Sequence, residues 1–249
     1  MTPSGPVALD LVRHAESEGN LADLRAQETR AAQLELAMRD ADVELSETGL
    51  RQAKALGQWF AGLPAERRPG VVMASPYRRA RQTAEAAVDG GGLGVPILLD
   101  ERLRERELGV FDGLTGLGVR ERYPEESARR ARLGKFYYRP PGGESWCDVA
   151  LRVRSLLGAL GGYGEARVLL VTHQAVIMNF RYVLEGLTEE ALLAEDAGPP
   201  LANCSLTRYV RGPSGEFTLQ AYNDVSTVAS MSEKVTAEPA VEEPDAVPS

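Results

Sequence analysis

The sequence predicts an α/β fold, a three-layer α/β/α sandwich with a mostly parallel central sheet in one domain. Three observations carry that expectation. Short apolar runs at residues 7–12, 71–74, 97–99 and 168–172 alternate with longer segments of helical character. Strands of that kind are buried on both faces by the helices that connect them. The chain is 249 residues long with 43% apolar and 26% charged residues, which supplies a core of the size one such domain needs. The composition changes at about residue 226, where Ala, Pro, Glu and Ser take over and large apolar residues almost vanish. The domain is therefore placed at 1–225, followed by an acidic tail, 226–249, expected to be disordered.

Residues 7–12 read as a buried strand running into the polar loop Arg13-His14-Ala15-Glu16-Ser17-Glu18-Gly19-Asn20. Residues 24–39 are rich in Ala, Leu, Gln, Glu and Arg and contain no breaker, so a helix is expected there. Ser46 is placed to cap a second helix with Leu50, Ala53, Leu56, Gly57 and Phe60 on one face, ending near Leu63-Pro64. Residues 71–74 form the next strand, and Ser75-Pro76 opens a helix, since a first turn accepts proline. Four glycines within residues 89–94 mark a loop before the strand at 97–99. The charged, Gly-punctuated stretch 101–141 is expected to form loops and short helices. Residues 144–160 have helical period. Residues 168–172 are the most apolar strand in the chain, with a helix at 175–184 behind it. Residues 205–210 and 217–222 read as closing strands joined by a Gly-Pro-Ser-Gly turn.

Charge and cysteine content narrow the function classes. A net charge of −8 argues against a nucleic-acid surface, which needs clustered Lys and Arg. From Ser226 onward five acids face one base, so about half of that charge belongs to the tail. Two cysteines far apart, Cys147 and Cys204, make neither a disulfide framework nor a zinc site and suggest a reducing compartment. The N-terminus lacks the basic and apolar regions of a signal peptide, and no stretch reaches the roughly 18 apolar residues that span a bilayer. A cytoplasmic location without membrane partners is expected.

The chain has only two histidines, and each directly follows an apolar strand: His14 after 7–12 and His173 after 168–172. Ligands of open parallel sheets bind beyond the carboxyl ends of the strands, so both fall where a site is expected. Arg13 adjoins His14, and Arg78 lies in the first turn after the strand at 71–74. Guanidinium groups bind phosphate bidentately, and helix N-termini add N–H donors, so Arg13 and Arg78 are assigned to phosphate binding. Arg79 and Arg81 are assigned to a solvated helix face. Departure of an alkoxide from phosphorus needs a proton donor, and a carboxyl with a raised pKa supplies one. Glu101, Glu105 and Glu107 compete for that role, and periodicity does not choose among them.

Taken in order, these segments resemble the histidine phosphatase superfamily, the phosphoglycerate mutase-like proteins. Residues 13–20 match its opening Arg-His-Gly-Glu-Ser-x-x-Asn at all but one stated position. Leu45-Ser46-Glu47-Thr48-Gly49-Leu50-Arg51-Gln52-Ala53 is similar to its Leu-Ser/Thr-x-x-Gly-x-x-Gln-Ala element. Residues 75–83 correspond to its Ser-Pro-x-x-Arg-Ala-x-Gln-Thr element, Leu103-Arg104-Glu105 with Gly109 to its acid-bearing loop, and Val171-Thr172-His173 to its second histidine. The resemblance spans about residues 7–222. It implies that His14 is the nucleophile and phosphate carrier. Arg13, Arg78 and His173 would form the phosphate pocket with Asn20 beside them, and Glu105 would be the general acid and base. It implies no metal and no cofactor. A neutral imidazole, with an ordinary pKa of about 6.5, is a competent nucleophile near neutrality.

Ala15 and Gln174 depart from the glycines usual after each histidine. Ala15 is a small change, while Gln174 is expected to reach the substrate or narrow the pocket. The expected function is hydrolysis of a small phosphorylated metabolite by a metal-independent phosphatase. Phosphoglycerate mutase-type transfer and a catalytically silent phosphate-binding protein are the alternatives. The segment Phe136-Tyr137-Tyr138-Arg139-Pro140-Pro141-Gly142-Gly143-Glu144-Ser145 resembles plant and fungal phosphatase members more than glycolytic mutases, and it reads either as a loop packed over the core or as a substrate lid. Neither the substrate nor the oligomeric state is written in the sequence.

Overall fold

The computed structural model describes residues 5–238. Six strands form one sheet, β1 (Ala8–Arg13), β2 (Val71–Ala74), β3 (Ile97–Leu99), β4 (Arg167–Thr172), β5 (Leu206–Arg211) and β6 (Phe217–Asp224), in the order β3-β2-β4-β1-β5-β6. β3, β2, β4 and β1 run parallel, while β5 is antiparallel to β1 and β6 to β5. The sheet is thus mixed, with its four parallel strands carrying the connections that go through helices.

The helices are α1 (Glu18–Thr29), α2 (Glu47–Gly62), α3 (Arg78–Gly91), α4 (Gly116–Arg122), α5 (Pro124–Leu133), α6 (Trp146–Leu160), α7 (Gln174–Glu185), α8 (Glu189–Asp196) and the single turn α9 (Ser226–Ala229). Alternation along the strands divides the core in two. Val12, Leu169 and Val171 face Leu56 and Phe60 of α2 and Ala80, Ala84 and Ala87 of α3. Leu9, Leu11, Val168 and Leu170 face Val149, Val153 and Leu156 of α6 and Ile177 and Phe180 of α7. Successive side chains of a strand point to opposite faces, so each central strand serves both layers.

Two sequence expectations are corrected. The helix expected at 24–39 starts earlier and ends at Thr29, where Arg30 turns left-handed with φ 52°. Beyond it the backbone pairs with a crossing segment instead: Leu34 N–H donates to Gly113 O at 2.8 Å, and Thr115 Oγ donates to Ala31 O at 2.8 Å. Those contacts override the helical propensity of 31–39. The tail expected to be disordered from 226 instead folds back on the body as far as it is described. Val228 and Thr227 are fully buried, and Thr227 Oγ donates to Cys204 O at 2.8 Å. One valine suffices to dock the turn because the α2 layer already offers an apolar surface. Residues 239–249 of that expectation lie outside the described residues.

Candidate active site

The carboxyl ends of β1, β4 and β2 lie side by side, and each passes directly into a site residue. Arg13 closes β1 and His14 follows it; Thr172 closes β4 and His173 caps α7; Ser75 follows β2 and leads into α3. His14 N–H donates to Thr172 O at 2.8 Å, which brings the rings together with centroids 5.2 Å apart. Tyr77 packs edge-on against His173, centroids 5.3 Å apart.

Hydrogen bonding fixes the His14 tautomer. Nδ1 lies 2.8 Å from Ala15 O, and a carbonyl only accepts, so Nδ1 carries the proton. Nε2 is left with its lone pair facing the site, where Arg79 Nε donates to it at 3.3 Å. Burial above all, then the charges of Arg79 and Arg13, holds the His14 pKa well below the ordinary imidazole value, so the ring is neutral at pH 7. His173 is lowered in the same way, by burial first and then Arg79 and His14. Its Nε2 lies 2.8 Å from Ser75 Oγ, while its Nδ1 is buried without a protein partner.

Arg13 is fully buried. Its Nη1 donates to Leu201 O, its Nη2 pairs with Glu238 Oε1 at 2.7 Å, and its Nε has no protein partner. An orphaned buried donor costs about 1–3 kcal/mol. Two such atoms, on Arg13 and His173, fall together in this one site, where a bound anion would meet them. Asn20 is the third residue of α1, and its Oδ1 accepts from Ser17 N at 2.9 Å in a capping box. That bond leaves Asn20 Nδ2 to donate into the site, to Glu238 Oε1 at 2.5 Å.

The structure corrects the assignment of Arg78. Its side chain is about half exposed and pairs with Glu44. Neighbouring residues of a helix point about 100° apart, so Arg79 turns inward where Arg78 turns out. Arg79 is buried, contacts His14 and is held by Asp40 through Nη1 to Asp40 O at 2.6 Å and Nη2 to Asp40 Oδ2 at 3.1 Å. The signal is present in the sequence, because the Ser-Pro-x-x-Arg spacing from Ser75 puts its arginine at 79.

Glu105 follows a 3₁₀ turn at Glu101–Leu103 beyond β3, and its Oε1 accepts from Arg106 N at 2.7 Å. Burial raises its pKa, against the Arg106 N–H and the Arg79 charge, which lower it. Glu144 fixes this loop. It pairs with Arg104 at 2.6 Å and with Arg152 at 3.1 Å, and accepts from Glu107 N at 3.1 Å. Arg152 in turn donates to Arg102 O at 2.7 Å and Glu105 O at 3.3 Å.

The remaining motif residues buttress the loop that carries His14. Thr83 Oγ accepts from Ala15 N at 3.0 Å, Gln52 Oε1 accepts from Glu16 N at 2.9 Å, and Asn203 Nδ2 donates to His14 O at 3.1 Å. Gly49 opens α2 directly against that loop, where an added Cβ would lie 1.9 Å from Glu16 O. Ala15 is buried in the core with an ordinary negative φ, so its methyl group is accommodated. Gln174 points at the protein: its Oε1 accepts from Leu201 N at 3.2 Å, bracing the residue whose carbonyl accepts from Arg13. In the 136–145 segment Phe136 and Tyr138 are buried and Tyr138 donates to Glu126 at 2.8 Å, while Tyr137 is exposed and Arg139 pairs with Asp148 at the surface. Among the described residues no helix is long and apolar enough to cross a membrane, and no group of three or more His, Cys, Asp or Glu could hold a metal ion.

Known proteins resemble this chain in sequence and in fold. Residues 9–225 match the model of the histidine phosphatase superfamily, branch 1. The chain is 36% identical over 187 residues to a glucosyl-3-phosphoglycerate phosphatase of Mycolicibacterium vanbaalenii, covering 72% of this chain and 74% of that one. It is 34% identical over 189 residues to a 2,3-bisphosphoglycerate-dependent phosphoglycerate mutase of Methylobacterium radiotolerans, covering 73% and 80%. Among solved structures, the mycobacterial glucosyl-3-phosphoglycerate phosphatase with inorganic phosphate superposes with a TM-score of 0.67 at 28% identity, over 89% of this chain and 99% of that one.

Proposed function

Because this chain belongs to the histidine phosphatase superfamily, branch 1, we propose that it is a metal-independent phosphomonoester hydrolase working through a phosphohistidine at His14. The observation that carries this reading is the His14 ring itself. It is neutral, its Nδ1–H is tied to a backbone carbonyl, and its Nε2 lone pair faces a site walled by Arg13, Arg79 and His173.

In the first step Nε2 attacks phosphorus and the P–O bond to the alcohol breaks. Protonated Glu105 gives its proton to the departing oxygen. In the second step water attacks phosphorus, Glu105 takes a proton from it, the P–N bond breaks and phosphate leaves. Arg13 and Arg79 offset charge on the phosphoryl oxygens throughout, so positioning and electrostatics carry most of the rate enhancement. Asp40 orients Arg79, and Glu144 with Arg152 positions Glu105. The substrate class is a small phosphorylated metabolite.

The test is hydrolysis of an aryl phosphate with EDTA present, by wild type and His14→Ala. Turnover in wild type that is lost in the variant supports the reading. Equal turnover in both, or turnover abolished by EDTA, overturns it. A phosphoglycerate supplied in the same assay separates hydrolysis, which releases phosphate, from mutase transfer, which interconverts isomers.

A further inference from the structure

The site described above is occupied by the chain's own carboxylate. After α9 the backbone turns at Ser232, with φ 60°, and residues 233–238 run back across the carboxyl ends of the central strands. Each step is tied down. Arg51 pairs with Glu233 at 3.4 Å. Gln52 Nε2 donates to Lys234 O at 2.8 Å and to Thr236 Oγ at 2.9 Å. Asn203 N–H donates to Thr236 O at 2.7 Å, Thr236 Oγ donates to Asn203 Oδ1 at 3.0 Å, and Ala237 bridges Ala202 in antiparallel fashion. Glu238 is thereby delivered to Arg13 Nη2 and Asn20 Nδ2.

The tethers matter because of which side chains make them. Gln52 and Asn203 are the groups that hold Glu16 and His14 in place. The segment therefore docks on the same scaffold that shapes the site, and its single acidic side chain at that point meets a buried guanidinium and a capped amide. A carboxylate oxygen there offers the charge and the acceptor geometry of one phosphoryl oxygen. It differs in carrying one charge, where a phosphomonoester carries nearly two at neutral pH. Its charge is felt locally: burial first and Glu238 second raise the pKa of Asp23 to about 6.

We propose that Glu238 is an internal competitor for the phosphoryl subsite, and that residues 233–238 must lift away before a phosphate group can reach Arg13 and Asn20. This rests on the reading of those two residues as phosphate ligands. The enzyme then binds phosphate only in the fraction of molecules whose segment is released, and apparent affinity is reduced by that fraction. A charge-assisted pair in a half-buried setting holds the closed form by a factor on the order of 10.

The experiment titrates inorganic phosphate into the full-length chain by calorimetry, comparing wild type with Glu238→Gln, and measures kcat and KM on an aryl phosphate in parallel. The substitution keeps the size of the side chain and removes its charge. The expected result is phosphate affinity higher in the variant by roughly 5–10-fold, KM lowered in parallel and kcat unchanged within about twofold. Equal or weaker phosphate affinity in Glu238→Gln overturns the proposal, since a carboxylate that merely positions Arg13 would then be missed rather than displaced. Failure of the underlying reading has a different signature, namely no measurable phosphate binding by either protein.

Discussion

Exchanging the roles of two adjacent arginines gives a sharp test of the site geometry. Arg79 presents Nε–H to His14 Nε2 at 3.3 Å from a buried position, so in the proposed mechanism it faces the transferring group directly. Arg79→Ala removes a preorganised, charged donor from the place where phosphoryl charge is held. Loss of one such donor costs about 10²–10³-fold in kcat, or about 2.7–4 kcal/mol of transition-state stabilisation. Arg79→Lys keeps a charge but loses the fork that binds both Asp40 and the site, so it should recover only part of that loss. Arg78→Ala removes a half-exposed pair with Glu44. Such pairs contribute about 0–1 kcal/mol to stability, and kcat/KM should stay within about threefold of wild type. Steady-state hydrolysis of an aryl phosphate measures all three variants, with thermal unfolding to confirm that each is folded. A loss of about 100-fold or more in Arg78→Ala, with Arg79→Ala near wild type, would refute the placement of the phosphoryl group beside Arg79.

Three further expectations follow from the same geometry. Glu105 must be protonated to act as acid, and burial raises its pKa, so kcat at saturating substrate should fall as pH rises through that raised value. Glu105→Gln should lose that basic limb and about 10²–10⁴-fold in kcat/KM on an alkyl phosphate, with a smaller loss in kcat/KM on aryl phosphates, whose leaving group needs no proton in the first step. Gln174→Gly removes the brace on Leu201, whose carbonyl holds Arg13, and a neutral hydrogen bond of this kind is expected to change KM by about 2–10-fold, while kcat moves less. The depressed pKa of His173 means that the unfolded chain binds its proton first, so stability is intact above about pH 6.5 and declines as pH falls below it. For one such histidine the loss between pH 7 and pH 6 is about 0.7 kcal/mol, and urea unfolding of His173→Gln at the two pH values should show the pH dependence flattened by that amount.

Much of the fold is legible in the sequence because parallel strands buried on both faces read as unbroken apolar runs. β2 and β3 fall at the expected residues, and β1 and β4 within one residue of them. Both histidines are located by their position after such runs. What local pattern does not contain is tertiary in origin. Residues 31–39 have helical propensity but give their backbone bonds to Gly113 and Thr115, about 80 residues away. The choice between Arg78 and Arg79 is different: it depends on a rotation of about 100° within one helical turn, to which composition is blind, and the Ser-Pro-x-x-Arg spacing from Ser75 is the one sequence signal for it. Asp40, Glu144 and Asn203 act through partners distant in the chain, so no local pattern marks them. The docking of the tail is hidden because its composition is that of a chain with little to bury. It rests on one valine, backbone bonds to Gln52 and Asn203, and two carboxylates, Glu233 and Glu238.

The central claim is that His14 Nε2 becomes bonded to phosphorus. The direct measurement is a rapid mixing of enzyme with a phosphomonoester labelled at phosphorus, quenched in alkali because a phosphoramidate bond is acid-labile, followed by peptide mass spectrometry. The account predicts label on the peptide containing His14, formed and decaying within the turnover time in wild type, accumulating in Glu105→Gln given an aryl phosphate, and absent in His14→Ala. Turnover by wild type with label on another residue, or with no protein-bound label at any time in either wild type or Glu105→Gln, would contradict it.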